Sequence, residues 1–160
     1  MEYSFRKIRE TDNTALCELI KRSLEDADLA IPGTVYFDEI INHLSDAYGR
    51  GNAEYYVLTD EVNNVIGGIG FAEFPDIPGT AELQKLYLDD SAKGQGLGYK
   101  MVAYIEARMK DAGFTHSYLE THDNLAAAIH SYIKSGYREI PKPDVVVHSS
   151  MNRFFLKDLK

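Results

Sequence analysis

Apolar residues recur along the chain with two different spacings, which predict helices in some segments and strands in others. Residues 3–8 alternate between apolar and polar side chains, as in a short strand. Apolar positions three and four apart then predict two helices, the first capped by Thr11 or Asp12 and the second ending near residues 49–51. Their apolar faces are Leu16, Leu19, Ile20 and Leu24 in the first helix, and Phe37, Ile40, Ile41, Leu44 and Tyr48 in the second.

The middle of the chain has the pattern of strands. EYYVLTD (residues 54–60) and VIGGIGFAEF (residues 65–74) are rich in β-branched and aromatic residues and flank a polar turn, so we expect an antiparallel hairpin. After Pro78 and Gly79, the segment AELQKLYL (residues 81–88) predicts a further strand. The first half therefore has the order strand, two helices, three strands.

The second half alternates between helix and strand. One helix is predicted to begin at Gly96 or Leu97 and to stop at Gly113, and another to run from Asn124 to Gly136. The apolar face of the latter is Leu125, Ala128, Ile129, Tyr132 and Ile133. The strands are THSYLET, GYREI and MNRFFLKDL, at residues 115–121, 136–140 and 151–159. Because a crossover helix joins parallel strands and a hairpin joins antiparallel ones, the sheet is predicted to be mixed.

Composition and charge narrow the function classes. The chain has 160 residues, a single cysteine and a formal net charge of −8, and none of its apolar runs is long enough to cross a membrane. The negative charge argues against a general binder of nucleic-acid phosphates. One cysteine, Cys17, cannot form an internal disulfide, which favours a reducing cytoplasm. We expect one domain over residues 1–160 in a cytoplasmic protein with neither nucleic acid nor membrane as a partner.

Three glycines alternate with other residues in KGQGLG, residues 93–98, directly before a predicted helix. Glycine permits tight turns and close approach to the backbone, and the N–H groups of a helix N-terminus attract anions such as phosphate. The spacing differs from the dinucleotide motif G-x-G-x-x-G, and the sequence has no Walker-type loop. A pyrophosphate-bearing cofactor fits this pattern best, with a dinucleotide oxidoreductase as a distant alternative.

This loop resembles the cofactor loop of the GNAT acyl-CoA-dependent N-acetyltransferases, Arg/Gln-x-x-Gly-x-Gly/Ala. Gly96 and Gly98 stand at its two glycine positions, and Lys93 stands in place of Arg or Gln. The resemblance implies a GNAT-type α/β fold, with a mixed, mostly antiparallel sheet that has a central parallel strand pair and is flanked by about four helices. It also implies acetyl-CoA as the cosubstrate.

Two further segments carry the same resemblance. Tyr132, Gly136 and Tyr137 fit the family's spacing of Tyr, three residues, Gly, aromatic, and LQKLYL resembles the strand that pairs with the pantetheine arm. The resemblance implies that Tyr132 protonates the departing thiolate, the alternative being a core tyrosine. Asn124 either contacts the cofactor or caps its helix. The implied cofactor-binding residues are Leu86, Tyr87, Leu88, Lys93, Gly94, Gln95, Gly96, Leu97, Gly98 and Asn124.

Attack on a thioester requires a neutral amine, so a base or a water chain must remove a proton from the acceptor. Glu82, on the strand before the loop, stands where some GNAT members have a catalytic glutamate, the alternative being an exposed strand carboxylate. His122 and His130 are reserve candidates, because each lies near the predicted mouth of the cofactor site. The five histidines lack the spacing of a metal site, so we expect no metal.

These residues predict an N-acetyltransferase that moves an acetyl group from acetyl-CoA to a primary amine of a small molecule or peptide by direct attack. Transfer of a longer acyl group and a non-catalytic acyl-CoA-binding sensor or interaction module are the alternatives. Seven acidic residues and one basic residue lie between Glu25 and Glu54, which favours a cationic, polyamine-like acceptor. The sequence leaves open the identity of the acceptor and the choice between a monomer and a homodimer.

Overall fold

A seven-stranded sheet forms the centre of the computed structural model, which describes residues 2–50, 52–147 and 149–160. Its strands are β1 (Ser4–Lys7), β2 (Glu54–Thr59), β3 (Val65–Glu73), β4 (Thr80–Leu88), β5 (His116–Thr121), β6 (Arg138–Ile140) and β7 (Arg153–Asp158). They lie in the spatial order β1-β2-β3-β4-β5-β7-β6. Neighbouring strands are antiparallel except β4 and β5, which are parallel. The predicted mixed, mostly antiparallel sheet with a central parallel pair is confirmed.

Helical segments connect these strands. The α-helices of the described residues are α1 (Asn13–Asp26), α2 (Leu97–Asp111) and α3 (Ala126–Lys134). Shorter 3-10 segments span Glu10–Asp12, Val35–Phe37, Glu39–Ala47 and Asp90–Ala92. The three α-helices and the nine-residue segment Glu39–Ala47 make up the four helices that were predicted.

The second predicted helix differs in type and in the face it buries. It is a 3-10 segment interrupted at His43, where φ is −137° and ψ is 43°, and its first turn is capped by the side chain of Asp38, which accepts a hydrogen bond from the N–H of Ile40. Phe37 precedes that cap in a separate turn, so it is 65% exposed and not part of the apolar face. The predicted core positions Ile41 and Leu44 are fully buried.

Asp12, one of the two predicted caps, is the N-cap residue of α1, but its side chain does not cap the helix because it has another partner. Both carboxylate oxygens of Asp12 accept hydrogen bonds from the Arg6 guanidinium of β1, at 2.8 and 2.9 Å, and one also accepts from the N–H of Arg9 at 2.8 Å. The carboxylate therefore fastens the start of α1 to the edge strand instead of capping the helix.

Apolar layers cover both faces of the sheet. On one face, Leu83 and Leu119 pack in a cluster with Met101 of α2 and Ile129 of α3. On the other, Val57 packs with α1 and with residues of the 3-10 segment Glu39–Ala47. Because side chains alternate along a strand, Glu82 and Gln84 of β4 point to the α1 side, opposite to Leu83. The two layers therefore meet different sides of the same central strands.

The parallel pair is short. Among the described residues, β4 and β5 pair only over Thr80–Glu82 and His116–Tyr118, although both strands continue beyond these residues. Past this point the edge of β4 that faces β5 has no strand beside it. Backbone N–H and C=O groups along that edge are therefore available to a ligand in extended conformation.

A bulge in β4 lies just beyond the point where the strands part. The register between β3 and β4 shifts there, and Lys85 has a φ of +53°, in the left-handed region. The hydroxyl of Tyr55 donates a hydrogen bond of 2.8 Å to the carbonyl oxygen of Lys85. The Tyr55 ring lies across Gly68 of β3, where a Cβ atom would overlap it. The neighbouring strands thus hold the bulge in place.

Candidate active site

Two depressions lie where β4 and β5 separate. The first, here called the loop groove, has a volume of about 610 Å³ and is lined by the glycine loop, the end of β4 and the start of α3. The second, here called the central cavity, has a volume of about 340 Å³ and is lined by the bulged part of β4 together with Glu120, Tyr132 and residues 149–151. Both are lined by Leu86, Tyr87, Leu125 and Ala128. A molecule that fills the groove can therefore extend one end to the cavity.

The glycine loop ends in the N-terminus of a fifteen-residue helix. Gly96 is the N-cap residue of α2, with a φ of +73° that side chains rarely adopt, and no side chain caps the helix. The first N–H groups of α2 therefore have neither an intrahelical partner nor a capping acceptor. Together with the helix dipole they favour an anion in the loop groove. The predicted start of this helix at Gly96 or Leu97 is confirmed.

The other predicted loop residues differ in where their side chains lie. Lys93 lines the loop groove and pairs with Asp90 at 2.8 Å. Gly94 and Gly98 also line the groove, whereas the Leu97 side chain is buried in the core. The side chain of Gln95 accepts a hydrogen bond of 2.9 Å from the Tyr3 hydroxyl. Gln95 does not line the loop groove.

The predicted strand residues Leu86, Tyr87 and Leu88 all line the loop groove. They belong to the part of β4 that lies beyond its short pairing with β5. Their backbone groups on that edge, and the apolar side chains beside them, suit an extended chain with amide groups.

Asn124 lies at the junction of three elements. It lines the loop groove, and its side-chain amide donates a hydrogen bond of 2.9 Å to the carbonyl oxygen of Ala27, directly after α1. The helix predicted to start at Asn124 begins at Ala126, with Leu125 as its N-cap residue, so Asn124 does not cap it.

The apolar face of α3 is narrower than predicted. Ile133, predicted on that face, is 57% exposed because the helix is short and buries mainly Ile129 and Tyr132.

Tyr132 is buried in the core and also reaches the central cavity. Its side chain is only 5% exposed and packs against Tyr137, with ring centroids 5.9 Å apart, yet it lines the central cavity. Unlike the hydroxyl of Tyr137, which is hydrogen-bonded to Ser117, the hydroxyl of Tyr132 has no hydrogen-bond partner among the described residues. Burial, and to a smaller extent the neighbouring Tyr87, raise the pKa of Tyr132 well above that of a free phenol. The hydroxyl therefore carries a proton at neutral pH.

Glu82 reaches the central cavity from the opposite face of the sheet. Its carboxylate accepts a hydrogen bond of 2.9 Å from the side-chain amide of Gln84. Burial raises the pKa of Glu82, and the charge of Glu120 raises it further, whereas the Gln84 hydrogen bond and Lys85 lower it. A carboxylate with a raised pKa is a stronger base than a solvated one.

Three residues that sequence reasoning missed extend this contact into a network. The Tyr48 hydroxyl donates a hydrogen bond of 2.7 Å to the side-chain oxygen of Gln84, and Nζ of Lys85 lies 3.5 Å from the same hydroxyl. Tyr48 had been assigned only to an apolar helix face. Gln84 and Lys85 follow Glu82 on β4 and carry no sequence signal of their own, because the bulge that directs Lys85 depends on Tyr55 from another strand.

Glu120 is a second carboxylate in the central cavity that sequence reasoning missed. One of its oxygens accepts a hydrogen bond from the Tyr118 hydroxyl and the other from the Ser149 hydroxyl, both at 3.0 Å. The strand THSYLET was predicted, but the separation of its end from β4, which opens the cavity beside Glu120, was not. Both oxygens of Glu120 are thus held by protein donors.

None of the histidines that the structure describes lines the central cavity. Nδ1 of His122 accepts a hydrogen bond of 3.0 Å from the N–H of Asn124, and His130 lies exposed on the loop groove. Over residues 2–50, 52–147 and 149–160, no group of three His, Cys, Asp or Glu side chains has the geometry to hold a metal ion. His148 lies outside the described residues.

The acidic side chains between Glu25 and Glu54 do not line the central cavity, although residues 33–35 of that stretch do. Glu25 accepts a hydrogen bond from the Tyr36 hydroxyl, Glu54 pairs with Lys7, and Asp26 lines the loop groove. They therefore lie outside the cavity that is lined by the charged side chains of Glu82, Lys85 and Glu120.

Comparison with known proteins identifies the family and the fold of this chain. The family model described as Acetyltransferase (GNAT) family matches residues 13–137. The chain belongs to the GNAT family of acetyltransferases. This membership confirms the predicted acyl-CoA-dependent acetyltransferase, and acetyl-CoA is the cosubstrate that it implies.

Individual members of the GNAT family support the match. The N-acetyltransferase YjgM of Escherichia coli K12 is 30% identical over 137 residues, which are 84% of this chain and 81% of that protein. A GNAT acetyltransferase of Staphylococcus aureus Mu50 shares the fold with a TM-score of 0.85, at 20% identity and with 99% and 100% of the two chains covered. PaiA N-acetyltransferase of Thermoplasma acidophilum, solved with coenzyme A, gives a TM-score of 0.77 at 20% identity over 99% of both chains.

The longest α-helix in the described part of this GNAT chain is α2, with fifteen residues. No helix in that part combines the length and the apolar character that crossing a bilayer requires.

Proposed function

We propose that the protein transfers an acetyl group from acetyl-CoA to a primary amine in one direct step, with Glu82 as the base and Tyr132 as the acid. One observation carries this proposal: Glu82 and Tyr132 line the same cavity from opposite faces of the sheet, at the point where β4 and β5 part. A base and an acid on two sides of a gap can serve the attacking and the leaving group of one transfer.

The residues around the loop groove suit acetyl-CoA. The uncapped N–H groups that follow Gly96 would hold the pyrophosphate, and the unpaired edge of β4 at Leu86 to Leu88 would bind the amide groups of the pantetheine arm. Lys93, Gly94, Gly98 and Asn124 line the same groove. Acetyl-CoA supplies the acetyl thioester when bound, and these residues bind and orient it.

Glu82 is proposed to take the proton of the acceptor. Amines are protonated in neutral water and become nucleophiles only after losing that proton. The raised pKa of Glu82 brings it closer to that of an amine, and Gln84 holds the carboxylate in one orientation. The transferred proton then rests on Glu82 until it passes to solvent.

Tyr132 is proposed to give its proton to the departing thiolate, and the second proton that the acceptor nitrogen loses as the amide forms restores the phenol. Its hydroxyl carries a proton that no described residue uses in a hydrogen bond, and the ring is fixed by packing against Tyr137 and Phe155. A rigid donor at the gap suits general-acid catalysis. The residues of the gap come from one chain, so the proposal holds for a monomer and for a homodimer alike.

The acceptor is proposed to be the primary amine of a small molecule or a peptide. It approaches as a cation, and the acidic stretch around the site attracts it at long range. Once inside, it faces the carboxylates of Glu82 and Glu120.

The test is a screen of amines with acetyl-CoA, in which release of thiol is followed. The panel covers polyamines, aminoglycosides, amino acids and peptide N-termini. We expect release that depends on the acceptor and that is lost in Glu82→Gln. Binding of acetyl-CoA with no turnover on any acceptor would favour the acyl-CoA sensor instead, and turnover only with longer acyl-CoA thioesters would favour the acyltransferase alternative.

A further inference from the structure

Lys85 is the one basic side chain among the described lining residues of the central cavity. The β4 bulge sets its backbone at a φ of +53°, and the hydrogen bond from Tyr55 to its carbonyl oxygen fixes that conformation. A left-handed backbone at a lysine is costly and persists only where the surroundings impose it. The fold therefore places an ammonium group at a fixed point of the cavity, three residues from Glu82.

This ammonium group lacks a charged partner. Its polar contact within the described residues is the Tyr48 hydroxyl, at the long distance of 3.5 Å, and no carboxylate there forms an ion pair with it. The Tyr48 hydroxyl donates its proton to Gln84, and its oxygen is the acceptor that faces Lys85. Burial lowers the pKa of Lys85, against the opposing effect of Glu82 and Asp38. A secluded ammonium with unused donors is unfavourable until an acceptor reaches it.

The two carboxylates of the cavity are already oriented by other groups. Glu120 is held at both oxygens, by Tyr118 and Ser149, and Glu82 is held at one oxygen by Gln84. Neither forms an ion pair with Lys85, although the charge of Glu82 raises the pKa of Lys85. The cavity therefore presents negative charge at one part of its wall and an unpaired positive charge at another.

The geometry points to an acceptor that carries a carboxylate as well as an amine, with Lys85 binding the carboxylate. This inference rests on the proposed function and narrows its acceptor to a small amino carboxylate, such as a free amino acid. Such a molecule meets Glu82 with its ammonium end and Lys85 with its anionic end. A volume of about 340 Å³ is near the small end for ligand pockets and suits a molecule of this size. A polyamine would place a second cation against Lys85.

The experiment uses matched acceptors. For each amino acid that the wild-type protein acetylates, thiol release is measured also with its primary amide and with its decarboxylated amine. We expect kcat/KM to be at least about tenfold higher for the amino acid, because a charge-assisted hydrogen bond is lost in the other two. Equal or higher efficiency with the decarboxylated amine would overturn the inference while leaving acetyl transfer established.

Substitution of Lys85 tests whether this residue causes the preference for the amino acid over its decarboxylated amine. Lys85→Gln should raise KM for the amino acid about tenfold or more and leave KM for the decarboxylated amine within twofold, and Lys85→Arg should restore much of the loss. Lys110→Gln removes the same charge from the exposed side of α2, where the lysine donates a hydrogen bond to the carbonyl oxygen of Lys160, and should change neither value. An equal rise of KM for both acceptors in Lys85→Gln would mean a structural role.

A binding measurement keeps the inference testable without turnover. Calorimetry on the CoA-loaded protein should detect the amino acid for wild type and Lys85→Arg but not for Lys85→Gln. Failure of every amine in the thiol assay would count against the proposed acetyl transfer, and unaltered amino acid binding in Lys85→Gln would count against Lys85. Circular dichroism on each variant confirms that the fold is intact.

Discussion

The side-chain amide of Gln84 donates a hydrogen bond of 2.9 Å to the carboxylate of Glu82. A second hydrogen bond fixes the orientation of that amide: its oxygen accepts a hydrogen bond of 2.7 Å from the Tyr48 hydroxyl. Tyr48, which follows the 3-10 segment Glu39–Ala47, thus influences through Gln84 how the carboxylate of Glu82, the proposed base, is oriented. This relationship makes the pH dependence of the reaction sensitive to a residue that need not touch the substrate.

Replacing Gln84 should move the acidic limb of the pH profile. Glu82 acts as a base only when it is deprotonated, so kcat/KM should fall as pH falls through its pKa. The Gln84 hydrogen bond lowers that pKa, and Gln84→Leu should therefore shift the midpoint of the limb to higher pH. Tyr48→Phe leaves the Gln84 to Glu82 bond in place and should shift it less. If the acidic limb were unchanged in Gln84→Leu, the ionisation that produces it would not be that of Glu82.

Removing the Tyr132 hydroxyl should slow turnover without weakening acetyl-CoA binding. Tyr132→Phe keeps the buried ring and deletes the proton donor, so we expect kcat to fall roughly a hundredfold. Steady-state thiol release and acetyl-CoA calorimetry give the two quantities.

Tyr137→Phe is the matched control for Tyr132. Tyr137 is a buried tyrosine that contacts the Tyr132 ring, and its hydroxyl bonds Ser117 at 2.6 Å. Its loss should cost about 1 kcal/mol of unfolding free energy in urea titration and leave kcat nearly unchanged. Equal kcat losses in both variants would assign Tyr132 to packing.

The two ends of α2 offer a matched test of the anion site. Gly96 precedes the helix and Gly113 follows it, both with positive φ and with open space at the Cβ position. Gly96→Asp brings negative charge to the proposed pyrophosphate site and should weaken acetyl-CoA binding at least about tenfold. Gly113→Asp introduces the same side chain and similar backbone strain at the far end, and should leave the affinity within twofold. Similar losses in both would point to strain rather than to the anion site.

The sequence allowed prediction of features that depend on local chemistry. The start of α2 follows from a glycine-rich loop before an apolar helical repeat, and the parallel pair follows from the strand, helix, strand order around Gly113. Both are properties of short segments, and both are confirmed.

Features that arise between segments were not predictable in the same way. The direction of the Lys85 side chain depends on a bulge that Tyr55 and Gly68 stabilise from neighbouring strands. Glu120 enters the cavity because β5 pairs with only the first residues of β4. The segment Glu39–Ala47 is a 3-10 helix with an interruption at His43. The spacing of apolar residues in the sequence does not reveal that interruption.

The central claim is that Glu82 deprotonates the acceptor within this gap. Its most direct test is acceptor-dependent thiol release by Glu82→Gln at saturating acetyl-CoA, compared with wild type on the same amine. Glutamine keeps the size and a hydrogen-bond acceptor for Gln84 but cannot take up the proton. The account predicts a turnover reduced roughly a hundredfold or more, with acetyl-CoA affinity within twofold of wild type. Turnover at the wild-type rate across the pH range would contradict it.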